Sequence, residues 1–167
     1  GFLSLPLEIA LAGLLQAAPE ARGCVLDMAH AREGAEAYFA AEGVADRARF
    51  VTASFFDPLP EAADCYVLKY ILHDWAEEPA RQIVQRVGEA ARQSGGTVVI
   101  IEKLMPERVE PDPDHAIALY GDMTMMLWDG RERTRAQFAA LLAHGGLALT
   151  RTLALSDNHH VIEAKPA

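Results

Sequence analysis

The chain has 167 residues, enough for one domain with a hydrophobic core and short for two ordinary domains. Hydrophobic residues make up 51% and charged residues 23%, the balance of a globular protein rather than a disordered or fibrous one. The formal net charge of -9, without clustered lysine or arginine, argues against nucleic acid or acidic membranes as partners.

Two features of the sequence bear on the compartment. No apolar stretch reaches the length of a membrane span, and the apolar opening lacks the basic flank and cleavage pattern of a signal peptide. Cys24 and Cys65 fall in apolar runs, where a free thiol behaves as a small hydrophobic side chain. We therefore expect a cytoplasmic protein without a disulfide framework.

The first third of the chain alternates helical and β-rich patterns. The predicted elements are a helix over residues 7–18, a strand over 23–27, a helix over 31–42 and a strand over 49–54. Pro6 suits the first turn of the first helix and Pro19 marks its end. Gly43 stands where a left-handed cap would end the second helix.

The remaining pattern continues this alternation and then changes. The predicted elements are a strand over 66–72, a helix over 79–92, a strand over 97–102, a helix over 116–128, a helix from Thr134 to Gly145, and strands over 148–155 and 159–164. Residues 105–115, rich in proline and acids, predict an exposed connection. Strands separated by helices indicate an α/β fold with a mostly parallel sheet, closed by a C-terminal antiparallel hairpin.

The stretch DCYVLKYILHDW, residues 64–75, is the most informative part of the sequence. It predicts a strand that buries Val67, Leu68, Ile71 and Leu72 and ends at His73-Asp74-Trp75. Ligands of open parallel sheets bind outside the carboxyl ends of the strands, so we predict an enzyme with His73 as general base. The alternative for His73 alone is a loop histidine with a satisfied hydrogen bond.

LKYILHDW, IIEKLMP and GRERT, in this order, resemble the catalytic domain of small-molecule O-methyltransferases that use S-adenosylmethionine. These are the caffeate and acetylserotonin type and their relatives in bacterial secondary metabolism. The resemblance implies a Rossmann-like class I methyltransferase sheet and methyl transfer to a hydroxyl of an aromatic small molecule. It also implies that Glu102 and Glu132 flank and orient the base His73, while Asp74 places the acceptor hydroxyl or braces the loop.

The resemblance assigns further residues to the cofactor and the acceptor. Asp27, the acid at the end of the first strand, would bind the ribose, with a helix cap as the alternative. Phe55 would cover the adenine and Lys69 would lie near the cofactor, although such a lysine can also extend along a strand edge. The family has an acid where this chain has Ser54, so one adenine contact is altered.

Acceptor and metal residues are weighed in the same way. By resemblance Met125, Met126 and Trp75 line the acceptor pocket, while methionines of this kind also serve as irregular core filler. The adjacent His159 and His160 would point to opposite faces of a strand, and the two cysteines form no close pair. We therefore expect no metal site.

The resemblance does not extend to the first residues. The family begins its cofactor domain with a strand and a loop of the kind DxGGGxG, whereas residues 2–8 read FLSLPLE. Leu5, Pro6 and Leu7 would fill space that glycine leaves open. We expect residues 1–167 to be a single, N-terminally incomplete catalytic domain, homodimeric in the full-length protein.

Three other functions are compatible with parts of the sequence. A cofactor-binding homologue could hydroxylate or decarboxylate an aromatic polyketide, and a non-catalytic binding or assembly domain would explain the missing loop. A nicotinamide oxidoreductase is disfavoured because the G-x-G-x-x-G loop is missing too. The three site segments disfavour the non-catalytic domain, and product analysis would separate methyl transfer from hydroxylation or decarboxylation.

Overall fold

The structure, a computed structural model, describes residues 7–127, 129–155 and 158–167. Its contacts divide the chain into two compact units, one up to Asp57 and one from Pro58 onwards, and each is described separately. The single domain expected from the sequence stays a prediction. No helix in the described ranges is both long and apolar enough to cross a membrane.

The first unit is a βαβ arrangement preceded by a helix. Its elements are α1 (Leu7–Ala17), β1 (Gly23–Asp27), α2 (Arg32–Ala41, after a 3-10 turn at Ala29–Ala31) and β2 (Ala48–Thr52). β1 and β2 pair in parallel, with Asp27 opposite Thr52 at their carboxyl ends. The core is apolar and consists of Ala12, Leu15, Val25, Ala35, Phe39, Val44, Ala48 and Phe50. Gly43 has the predicted left-handed backbone, with φ 70°.

The second unit contains a five-stranded mixed sheet. Its elements are β3 (Cys65–Lys69), α3 (Glu77–Ser94), β4 (Thr97–Met105), α4 (Pro113–Met126), β5 (Arg133–Thr134), α5 (Arg135–His144), β6 (Leu147–Ala154) and β7 (His159–Pro166). The strand order is β3-β4-β7-β6, and β5 pairs with β4. β3 and β5 run parallel to β4, and the C-terminal hairpin β6-β7 is antiparallel as predicted.

Local sequence signals explain where several helices begin and end. Thr134 is the N-cap of α5, as predicted, and it also forms a capping box with Gln137. Gly95 ends α3 in the left-handed conformation, with φ 73°. The helix predicted to reach Trp128 ends at Met126. Trp128, Pro6, Ser156 and Asp157 lie outside the described residues, so the structure does not test the predictions made for them.

The predicted strand over 66–72 is partly wrong, and the difference moves His73. β3 stops at Lys69 because Tyr70 has φ 53°, which breaks the extended backbone. His73 therefore lies on a 3-10 turn, Leu72–Asp74, rather than at the strand end. The predicted burial of Val67 is also wrong: its side chain is 39% exposed, because the alternating residues Tyr66 and Leu68 face the core.

Strand β4 is longer than predicted. It continues to Met105, so the exposed connection is confined to the residues between Met105 and Pro113. The added residues Leu104 and Met105 pair with Arg133 and Thr134 of β5, a strand too short for the sequence pattern to predict. This pairing brings the GRERT segment beside the IIEKLMP strand.

Candidate active site

Tyr70 begins the turn that carries His73. Its left-handed backbone is unusual for a bulky residue, and such strain persists where surrounding contacts fix it. Its N–H donates to the Ile101 carbonyl (3.1 Å), which ties the start of the turn to β4. Its ring stacks on the His73 imidazole, with centroids 5.5 Å apart and planes inclined by 22°. The sequence analysis did not single out Tyr70, although it directly precedes the site.

The imidazole of His73 lies against two buried glutamates. Its Nδ1 is 3.4 Å from Glu102 Oε2 and 3.6 Å from Glu132 Oε1, which are ion-pair distances longer than an ideal hydrogen bond. Glu102 is fully buried, and its Oε1 accepts the His73 backbone N–H at 3.3 Å. Nε2, the other ring nitrogen, lies 3.3 Å from Asp74 Oδ1. The structure thus brings together His73, Glu102, Glu132 and Asp74.

Burial and charge act in opposite directions on this cluster. Burial lowers the pKa of His73, but the contact with Glu132 and the charges of Glu102 and Asp74 outweigh it, so the pKa is raised. Burial raises the pKa of Glu102 to about 7, although the imidazole partly opposes this shift. A protonated imidazole is therefore stabilised on its Nδ1 side, as a general base requires after it has accepted a proton.

The GRERT segment, residues 130–134, fixes the backbone of the His73 turn. Arg131 N–H donates to the His73 carbonyl at 2.8 Å. A Cβ at Gly130 would overlap that same carbonyl oxygen and approach Asp74 Cα at 3.2 Å, so only glycine permits this approach. The chain direction then places Glu132 at the imidazole. The motif therefore supplies both a carboxylate and a close backbone fit.

Arg133 is a second residue that the sequence analysis did not single out. Its side chain is 1% exposed, and its guanidinium donates to the carbonyls of Leu72 (2.7 Å) and Trp75 (3.2 Å). Glu77 Oε2 lies 3.5 Å away. Burial lowers the pKa of Arg133, and the Glu77 charge opposes that shift. In the sequence, Arg133 was marked by its position within the GRERT motif.

The structure places the remaining predicted residues of this unit around the turn. Lys69 ends β3, and its Nζ lies 4.6 Å from the centre of the Tyr70 ring, a cation–π contact. Trp75 is half-buried and ends the 3-10 turn. Met125 is half-buried and its carbonyl accepts the Gly130 N–H at 3.0 Å, whereas Met126 is 65% exposed.

A hollow lies beside Glu132. It is small and open to solvent, with a cavity volume of about 20 Å³, and is lined by Lys103, Leu104, Met105, Ile117, Ala118, Gly121, Glu132 and Asn158. Gly121 of α4 faces the carboxylate without a side chain, since a Cβ there would lie 4.0 Å from Glu132 Oε1. Met125, Met126 and Trp75, predicted for the acceptor, are not among the lining residues.

The three residues of the first unit predicted to bind the cofactor, Asp27, Ser54 and Phe55, lie at or just beyond the carboxyl ends of its two strands. Asp27 Oδ1 accepts the Met28 N–H at 2.7 Å, and the Asp27 carbonyl accepts the Ala53 N–H at 3.1 Å. The bond from Ala53 holds the segment that continues into Ser54 and Phe55 at the carboxyl end of β1. Ser54 Oγ accepts the Phe56 N–H at 3.2 Å, so this hydroxyl shapes its own turn, and Phe55 is half-buried.

The chain belongs to the O-methyltransferase domain family, whose model matches residues 9–148. It is 33% identical over 156 residues to phenazine O-methyltransferase PhzM of Lysobacter antibioticus, covering 93% of this chain and 45% of that protein. It is 37% identical over 139 residues to 2,7-dihydroxy-5-methyl-1-naphthoate 7-O-methyltransferase of Streptomyces carzinostaticus, covering 83% and 40%. The chain thus spans less than half the length of these relatives.

A solved structure shows the same fold. The O-methyltransferase NcsB1 of neocarzinostatin biosynthesis, in complex with S-adenosylmethionine and 2-hydroxy-5-methyl naphthoic acid, aligns with a TM-score of 0.83 at 34% identity. The alignment covers 95% of this chain and 45% of that one. The predicted family and the class I methyltransferase fold are therefore confirmed.

Proposed function

We propose that this chain is the catalytic part of an S-adenosylmethionine-dependent O-methyltransferase that acts on an aromatic hydroxyl, with His73 as general base. The observation that carries the proposal is the pair of buried carboxylates, Glu102 and Glu132, on the Nδ1 side of one imidazole. This pair fixes a proton on Nδ1 and leaves Nε2 to accept one.

The proton of the acceptor hydroxyl must be removed for the methyl group to be transferred. Bound S-adenosylmethionine would supply a methyl group on a sulfonium, a leaving group that is already activated. A phenol with a pKa of ~10 is protonated at neutral pH, and ionising it costs roughly 4 kcal/mol. His73 Nε2 accepts that proton as the new bond forms, and Glu102 and Glu132 stabilise the resulting imidazolium through Nδ1. Asp74, beside Nε2, positions the acceptor hydroxyl.

The residues of the first unit fit the adenosine half of the cofactor. Asp27 presents a carboxylate at the carboxyl end of a parallel strand, the usual place of a ribose-binding acid, and Phe55 follows at the adjacent strand end. The glycines between residues 7 and 57 are dispersed at 13, 23, 34 and 43, so no glycine-rich loop is available there for the methionine half.

The acceptor would be an aromatic small molecule of secondary metabolism, like the naphthoic acid bound by NcsB1. The lining of the hollow beside Glu132 supports this through its chemistry rather than its size, because Leu104, Met105 and Ile117 are apolar and Lys103 and Glu132 are charged. We further propose that the protein is cytoplasmic and forms a homodimer. The His73 cluster favours methyl transfer over a binding or assembly role.

The test is His73→Gln with a phenolic acceptor and S-adenosylmethionine carrying a labelled methyl group. We expect kcat to fall by ~10²–10⁴ while the affinity for S-adenosylhomocysteine is unchanged. His144→Gln, an exposed histidine at the end of α5, is the matched control and should leave kcat unaltered. Unchanged turnover in His73→Gln would remove the base assignment, and an unlabelled product would point to hydroxylation or decarboxylation.

A further inference from the structure

The His73 cluster has the donor geometry of a transition-metal site. One ligand atom from each of His73, Glu102 and Glu132 can be chosen so that all lie within 4.8 Å of one another. Two of these separations are 3.4 Å and 3.6 Å. Ligand atoms ~2.0–2.1 Å from a tetrahedral zinc ion lie roughly 3.3 Å apart. The two separations from Nδ1 are close to this value, and the two carboxylates, whose ligand atoms lie within 4.8 Å of each other, would draw together on binding.

The polar atoms of the cluster are buried and incompletely paired. Within the described ranges, His73 Nδ1, Glu102 Oε2 and Glu132 Oε2 have no hydrogen-bond partner. Both glutamates are more than nine-tenths buried, at 0% and 7% exposure. Arg133, the neighbouring buried cation, is directed at the carbonyls of Leu72 and Trp75 instead. Each carboxylate thus keeps one buried oxygen without a hydrogen bond, which is costly, and a cation would satisfy both oxygens and Nδ1 at once.

From this geometry we infer that His73, Glu102 and Glu132 bind a divalent first-row transition-metal ion such as Zn²⁺. One imidazole and two carboxylates suit this class better than Mg²⁺ or Ca²⁺, which take oxygen ligands alone. The hollow lined by Glu132 offers a route for the ion. This inference replaces the expectation from the sequence, which considered only His159, His160 and the cysteines.

The bound ion would oppose the proposed function. The Nδ1 proton would be lost to solvent and Nε2 would take one proton from solvent, so that the imidazole stays neutral, Nδ1 binds the ion and the protonated Nε2 can no longer act as a base. Binding itself rests only on the geometry, whereas this inhibition rests on the proposed function.

The experiment titrates this chain with Co²⁺, followed by visible absorption, and then displaces Co²⁺ with Zn²⁺ in a calorimeter. We expect the intense absorption of a tetrahedral ion, and at least tenfold weaker binding in His73→Gln, Glu102→Gln and Glu132→Gln. The double variant His159→Gln/His160→Gln is the control and should bind as the parent does.

Two results would overturn the inference. A parent spectrum that remains that of the hydrated ion excludes the site whether or not the variants fold. Binding that survives His73→Gln but is lost in the double variant assigns the ion to the β7 histidines instead. Since both readouts are of binding, failure here leaves the methyltransferase proposal standing, and failure of methyl transfer leaves this one standing.

Discussion

The two units of the chain hold their functional residues in different ways. In the second unit the His73 turn is bound by residues far away in sequence: Glu102 from β4 and Arg131 and Arg133 from the GRERT segment. In the first unit Asp27 is held by its neighbour Met28 and by one bond from Ala53, at the end of the paired strand. The His73 turn is therefore fixed by several contacts from distant segments, whereas the Asp27 carboxylate is held only by a bond from its sequence neighbour. We expect substitutions around the His73 turn to change stability, and substitutions at Asp27 to change cofactor binding alone.

Arg133→Met should have the largest effect on stability. The change removes the guanidinium that donates to the buried Leu72 carbonyl and to the Trp75 carbonyl, at a cost of about 3–5 kcal/mol in the free energy of unfolding. Urea denaturation measures this. Arg131→Met is the control within the same motif, because Arg131 bonds His73 through its backbone, and it should cost less than ~0.5 kcal/mol. Equal losses for the two arginines would refute the anchoring role of the Arg133 side chain.

Glu102→Gln should change how stability depends on pH. The pKa of Glu102 is about 7 in the folded chain and near 4.5 when unfolded. Its protonated form therefore stabilises the fold fully below pH ~4.5, and that contribution is lost as the pH rises through 7. The glutamine variant should gain at most about 3 kcal/mol relative to the parent between pH 4.5 and pH 8.

Glu163→Gln is the control for that pH dependence. Hydrogen bonds from Thr150 and Arg151 lower the pKa of Glu163, so its contribution is present above its unfolded pKa and is lost as the pH falls. The Glu163→Gln difference should therefore shrink in acid, opposite in sign to the Glu102 result. A Glu102→Gln difference that stays constant from pH 5 to pH 8 would show that this carboxylate is not buried.

Gly130→Ala tests the close backbone approach. The added Cβ meets the His73 carbonyl, which is backbone and cannot move aside cheaply, so we expect a loss of about 1–3 kcal/mol and a displaced His73. Gly34→Ala, in α2 with open space around it, should instead gain up to ~1 kcal/mol. Thermal unfolding of both variants measures the two stability changes, and kcat of Gly130→Ala reports the displacement of His73.

The sequence predicted the elements and the three site segments well, because each has a local signal. Gly43 and Thr134 end or begin helices for reasons written in a few neighbouring residues. The end of β3 was missed because the positive φ of Tyr70 has no local signature. Only long-range packing gives Arg133 its role, since its partners lie some 60 residues earlier in the chain, with separations of 61 and 58. The β5 strand was missed because two residues carry no periodicity.

Asp27→Asn should have the smallest effect on the fold and a specific one on binding. Asparagine keeps an oxygen that can accept the Met28 N–H, so the free energy of unfolding should change by less than ~0.5 kcal/mol. It loses the negative charge proposed to accept hydrogen bonds from the ribose, so the affinity for S-adenosylhomocysteine should fall at least ~tenfold. Calorimetric titration measures this, with Asp57→Asn, an exposed acid, as control. Binding that is unaltered in Asp27→Asn would assign Asp27 to capping alone and remove the first unit's main cofactor contact.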